Sequence, residues 1–141
     1  MTLINQLIND LKEELQSRED TYKNTIVKEA YKSLPKNKYP MITIQEIDNS
    51  EVTSRTTANG EQTTLLTYQI VCYSRDTEEY EYVESARFMG ELVRDFIDKN
   101  YKMIRMGSPS LIPYIQDNTI MTYTQRYSCV YDKETNLLYK N

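Results

Sequence analysis

The most regular alternation in the chain lies near its end, in TIMTYTQRYSCVYD, residues 119–132. From Met121 to Tyr131 every second position is, in turn, Met, Tyr, Gln, Tyr, Cys and Tyr. Alternation of period two predicts a strand, because successive side chains point to opposite sides of the pleat. Its marked face is rich in tyrosine and carries a neutral amide, Gln125, in the middle. An amide there predicts incomplete burial within one chain, with core at one end of the face and an interface at the other.

At the other end the period changes. Leu3, Ile4, Leu7, Ile8, Leu11 and Leu15 recur at three- and four-residue spacing, with Asn5, Asn9, Lys12, Glu13 and Gln16 opposite. This predicts an amphipathic helix, capped by Thr2, that must dock on its own domain or on a neighbouring subunit. Gln16–Asp20 breaks the pattern. Thr21–Leu34 supports two readings. Tyr22, Ile26, Ala30 and Leu34 fit a second helix, whereas NTIVKEAYKSLP fits a partly extended segment. Pro35 ends either one.

Between these ends the pattern is mostly that of strands. YPMITIQEI alternates Met41, Thr43, Gln45 and Ile47 against Ile42, Ile44 and Glu46, with Pro40 at its start. Asn59-Gly60 is the strongest hairpin signal, so a strand near Glu51–Thr57 should pair with Thr63–Ser74. A helix should open at Asp76, with Glu79 at capping-box spacing and Glu78, Glu81 and Glu84 near its positive end. Its buried stripe reads Tyr82, Ala86, Met89, Val93 and Phe96, with Leu92 and Ile97 beside it, and Lys99 and Asn100 close it. YKMIRM (101–106) reads as a short strand, GSPSLIPYIQDN (107–118) as a loop, and NLLYKN (136–141) as a return strand or tail. The expected class is α+β: a mostly antiparallel sheet with one main helix packed on one face, plus the N-terminal helix. The expected organisation is a single domain, 1–141, with a helical arm at 1–34 and an α+β core at 35–141.

Composition sharpens this. The chain has 141 residues, 39% hydrophobic and 27% charged, enough for one core with little apolar surface to spare. It holds 13 Tyr but only 2 Phe and no Trp. Tyrosine suits strands, and equally surfaces that are buried only on assembly. The formal net charge of −4 argues against a sequence-specific nucleic-acid binder. No apolar run approaches membrane-spanning length, and the N-terminus lacks the basic start of a signal peptide. Cys72 and Cys129 do not make a disulfide framework, so reduced thiols made in the cytosol are expected.

Chemistry is sparse. The chain contains no histidine, which removes the commonest general base and metal ligand. Three glycines form no phosphate-cradling pattern. Cys72 and Cys129 fall in predicted strands, facing each other across the sheet, and read as core thiols. The acids Asp76, Glu78, Glu79, Glu81 and Glu84 read as a solvated helix start. The expectation is no enzyme, no cofactor and no metal. The tyrosine face keeps three readings: core beneath the amphipathic helix, a stacking platform for single-stranded nucleic acid, or a subunit interface.

Four segments together resemble the tail terminator and tail completion proteins, the head–tail joining family of long-tailed phages. They are LPKNKYPMITIQEIDNS (34–50), LTYQIVCYS (66–74), VESARFMGELVRDFI (83–97) and TIMTYTQRYSCVYDKETNLLY (119–139). The resemblance spans most of residues 34–141 and rests on strand and helix patterns. It implies a virion protein at the tail–head junction, assembled in the bacterial host cytoplasm. It implies a ring, usually a hexamer, stacked on the last tail-tube ring and presenting a surface to the head connector, with DNA passing through it. It implies no catalytic residue. By position it marks the loop Thr56–Thr63 as a contact, giving Arg55, Thr56, Thr57, Asn59, Gly60 and Glu61, and makes Tyr123 and Tyr127 partner-interface candidates. Two other readings remain beside it: a head-closure or neck protein on the connector side, and an unrelated small binding module or enzyme.

Overall fold

The leucine and isoleucine stripe at the N-terminus forms helix α1, Leu3–Gln16, in a computed structural model of the chain. The structure describes residues 3–18, 21–29, 40–52, 63–75, 82–114, 117–132 and 137–139. Leu3, Leu7, Ile8, Leu11 and Leu15 are all buried, and each contributes about 1.5–3 kcal/mol relative to an exposed side chain. They enter the same core cluster as the strands and the second helix, so α1 docks on its own chain.

The ambiguous segment that follows is a short 3-10 turn, Thr21–Asn24, and then a strand, β1, Ile26–Glu29. The β-branched pair Ile26-Val27 favours extension. The second-helix reading therefore fails over Thr21–Glu29, and residues 30–34 lie outside those described. The remaining strands are β2 (Met41–Val52), β3 (Thr63–Arg75), β4 (Ile104–Arg105), β5 (Ser110–Tyr114), β6 (Asp117–Asp132) and β7 (Leu137–Tyr139). Helix α2, Tyr82–Asn100, lies between β3 and β4. The class is α+β: one sheet of seven strands with two helices.

The path through the sheet is β1-β2-β3-β6-β4, with β5 and β7 also on β6. β1 runs parallel to β2, and the Ile26 amide donates to the Pro40 carbonyl at 3.2 Å. The other described pairings are antiparallel. β2 is one strand where two were expected. It carries a bulge between Glu46 and Asp48, and its ladder continues to Val52 opposite Thr63. The Asn59-Gly60 turn lies outside the described residues, as do Asp76 and the expected cap of α2.

The stretch read as a loop after Gly107 contains β5. Its prolines fit an edge: Pro113 sits in β5 next to a register shift, where a missing donor costs least. Thr122 Oγ1 donates to the Ile112 carbonyl at 2.8 Å across that pairing. Gly107 takes a φ of 68°, a left-handed conformation in the short link between β4 and β5, which run in the same direction along β6.

The core lies between the helices and one sheet face. Ile42 and Ile44 of β2, Leu66, Tyr68, Ile70 and Cys72 of β3, and Met121, Tyr123, Tyr127 and Cys129 of β6 meet α1 and α2 there. Ala86, Met89, Val93, Phe96 and Ile97 supply α2's side, as the sequence stripe predicts. A hydrogen bond from Tyr101 to Asp10 Oδ2 (2.5 Å) ties α1 to the end of α2, and Tyr22 donates to Ser85 Oγ at 3.2 Å. On the opposite face a smaller cluster joins Met41, Val71, Tyr73 and Ile120 with Ile26 and Tyr114, and holds no helical residue among those described.

Candidate assembly interface

The tyrosine face of β6 is core. Tyr123 is 5% exposed, Tyr127 0% and Gln125 1%. Incomplete burial at Gln125 is therefore corrected, and Tyr123 and Tyr127 are buried within their own chain. The reason is a closed polar circuit. Gln125 Nε2 donates to the Gly90 carbonyl of α2 at 2.8 Å, and the Tyr127 hydroxyl donates to Gln125 Oε1 at 2.5 Å. With both ends of the amide satisfied, its burial costs little. Gly90 makes the circuit reachable. A β-carbon there would lie 2.2 Å from Tyr123 Cδ1, so only glycine lets the helix backbone sit on the ring. The Tyr123 hydroxyl reaches the edge of α2 and donates to Glu91 Oε1 at 3.3 Å.

These groups are held protonated. Burial is the main cause that raises Tyr127 and Tyr123 above the ordinary phenol, and Glu91 adds to it at Tyr123. Burial likewise raises Tyr101, helped by its hydrogen bond to Asp10 and that carboxylate's charge. Cys72 and Cys129 do not face each other: Cys72 sits opposite Tyr123, and Cys129 opposite Leu66. Both are buried free thiols, Cys129 pushed up to about 12 and Cys72 higher still, chiefly by burial. Neither has the thiolate character that nucleophilic chemistry needs.

Arg55, Thr56, Thr57, Asn59, Gly60 and Glu61 lie outside the described residues. So do Asp76, Glu78, Glu79 and Glu81. Glu84 is exposed and pairs with Arg87 at 2.9 Å, which is an ordinary helix-surface pair. Among the described residues no group of His, Cys, Asp and Glu could hold a metal ion. No described helix is long and apolar enough to cross a membrane.

What the sequence did not reveal is the surface around α1. A cleft of about 720 Å³ runs between α1 and β1, lined by Lys12, Gln16, Lys23, Thr25, Ile26, Val27 and Lys28. Three of its seven lining residues are lysine, on a chain of net charge −4. β1 is an outer strand of the sheet path. In its parallel ladder Ile26 and Lys28 turn inward to β2, so Val27 presents its amide and carbonyl to the other side, where no further strand lies among the described residues. The Thr25 hydroxyl is buried in the cleft wall with no partner among the described residues. The other side of α1 is acidic: a hollow of about 300 Å³ is lined by Asp10, Glu13, Glu14, Ser17, Phe96 and Asn100. One signal was present in the sequence. At 100° per residue, Lys12 and Gln16 fall on one flank of the helix and Asp10 and Glu14 on the other. The lysines beyond the helix could not be placed without knowing that β1 is a strand.

A second open area is apolar. Ile104, Met106 and Ile112 are 43%, 52% and 52% exposed. They lie along the outer strands β4 and β5, and Ile104 and Ile112 share the sheet face away from the helices. No protein-family model matches the chain, and no curated protein matches it at a significant level.

Proposed function

We propose that this chain is a structural virion protein, a tail terminator whose copies form a ring that caps the tail tube and meets the head connector. The ring is a hexamer at the tail–head junction, and DNA passes through it. The fold assumed is a mostly antiparallel sheet with its main helix on one face. One observation carries the reading: the central strands are much longer than the main helix packed on them. α2 has 19 residues, about 28 Å of helix, whereas β6 has 16 residues, about 50 Å of strand. The ladder of β2, β3 and β6 continues to Val52, Thr63 and Asp132. A long paired ladder of this kind suits a subunit that reaches a neighbour or a tube end. The resemblance of the strand and helix segments to tail terminators supplies the rest.

Native mass spectrometry of the purified chain, with and without tail-tube protein, tests this. A hexamer, alone or on addition of tube protein, is the expected result. A strict monomer that ignores tube protein overturns the proposal. Loss of the protein should give overlong tails. Unattached tails of normal length would instead move it to the connector side of the neck.

A further inference from the structure

The two flanks of α1 carry opposite charge, and the basic one opens onto an incompletely partnered strand edge. We propose that the cleft between α1 and β1 receives the acidic flank of α1 from a second copy of this chain, so that neighbouring subunits join head to tail. The inference rests on the ring reading above and names the contact that closes the ring.

Three observations converge on the cleft. Lys12 and Lys23 are exposed, and with Lys28 they line it, so three cationic side chains gather there on a chain that is acidic overall. Thr25 is 8% exposed, and its hydroxyl lacks a hydrogen-bond partner among the described residues. A buried hydroxyl without a partner is rare, and it points to a polar group arriving from outside. Val27 adds a backbone donor and acceptor at the same open edge. The occupant must therefore be acidic and able to hydrogen bond.

The chain itself carries such a surface. Glu13 and Glu14 are exposed beside Asp10 and Ser17, on the far flank of the same helix. Asp10 is already engaged by Tyr101, which leaves Glu13 and Glu14 as the projecting charges. The two patches lie on opposite flanks of α1, so the contact proposed is heterologous: each copy offers its acidic flank to one neighbour and its cleft to the other. Contacts of that kind close into rings when the rotation permits.

Charge exchange tests it. The double variants Lys12→Glu/Lys23→Glu and Glu13→Lys/Glu14→Lys change only exposed side chains, so both should keep the circular dichroism of the native chain. They are compared by native mass spectrometry under conditions in which the native chain forms its ring. Each variant alone should assemble about 100-fold more weakly, because like charges then meet at every junction. Their equimolar mixture should recover the ring, with the variants alternating. Variants that assemble as well as the native chain, or a mixture that stays apart, overturn the inference while the ring reading stands. A native chain that never assembles removes both.

Discussion

At the residue scale the decisive group is Gln125. Its amide bridges the Gly90 carbonyl and the Tyr127 hydroxyl, with Gln125 1% exposed. Gln125→Leu should cost about 1–3 kcal/mol, since the Tyr127 hydroxyl then has no acceptor in a dry site. Adding Tyr127→Phe should return most of that loss. Urea midpoints of the four chains of this cycle measure the coupling directly. The same residue shows a limit of sequence reading. Alternation located the strand and its face, but an amide in an apolar row looks the same whether water or a helix carbonyl satisfies it. The partner lies 35 positions away, in an element that no local pattern connects to it.

At the element scale the separation of α2 from the sheet is set by one missing β-carbon. Gly90→Ala improves helix propensity by about 1 kcal/mol. It also drives a methyl into the Tyr123 ring, at 2.2 Å in the native geometry. Overpacking of this kind costs about 1–3 kcal/mol or more, so a net loss and a fall of about 3–8 °C in Tm are expected. In a Tyr123→Leu background the same substitution should turn neutral or stabilising, and thermal melts of both pairs decide it. Long periodic elements were legible: α1, the buried stripe of α2 and the alternation of β6 all follow their patterns. Short ones were not. β1 has four residues and β5 five, too few to show a period, and the prolines beside Leu111 and Ile112 read as loop. Pairing with β2 and β6 makes them strands, and pairing is a property of the partner as much as of the segment.

At the scale of the whole molecule, the buried phenols and thiols set the response to alkali. Tyr73, Tyr101, Tyr123, Tyr127, Cys72 and Cys129 are all raised above their ordinary values of 10.0 and 9.0. A raised group keeps its proton longer in the folded chain than in the unfolded one. Its stabilising contribution is complete below the ordinary value and is lost as pH climbs toward the folded one. Denaturant midpoints should therefore hold from pH 7 to about 8.5 and fall above about pH 9. Tyr101→Phe should flatten part of that fall, and an unchanged slope would remove Tyr101 from the account. Neither this nor the opposed charge of the two flanks of α1 was readable in composition. The charge total of −4 is an average that hides a basic cleft on one side of a helix and an acidic flank on the other. The bulge at Ile47 has a consequence of its own. Glu46 pairs with Tyr68 and Asp48 with Thr67, so Ile47 is the one residue of β2 without a counterpart. It acts as a frameshift in the pleat: odd-numbered positions beyond it inherit the side that even-numbered positions hold before it. Deleting that single residue would restore regular alternation and leave every pair from Asp48–Thr67 to Val52–Thr63 in register. The extra residue is thus absorbed at one point of the ladder, and the pairing on either side of it runs on as if it were not there.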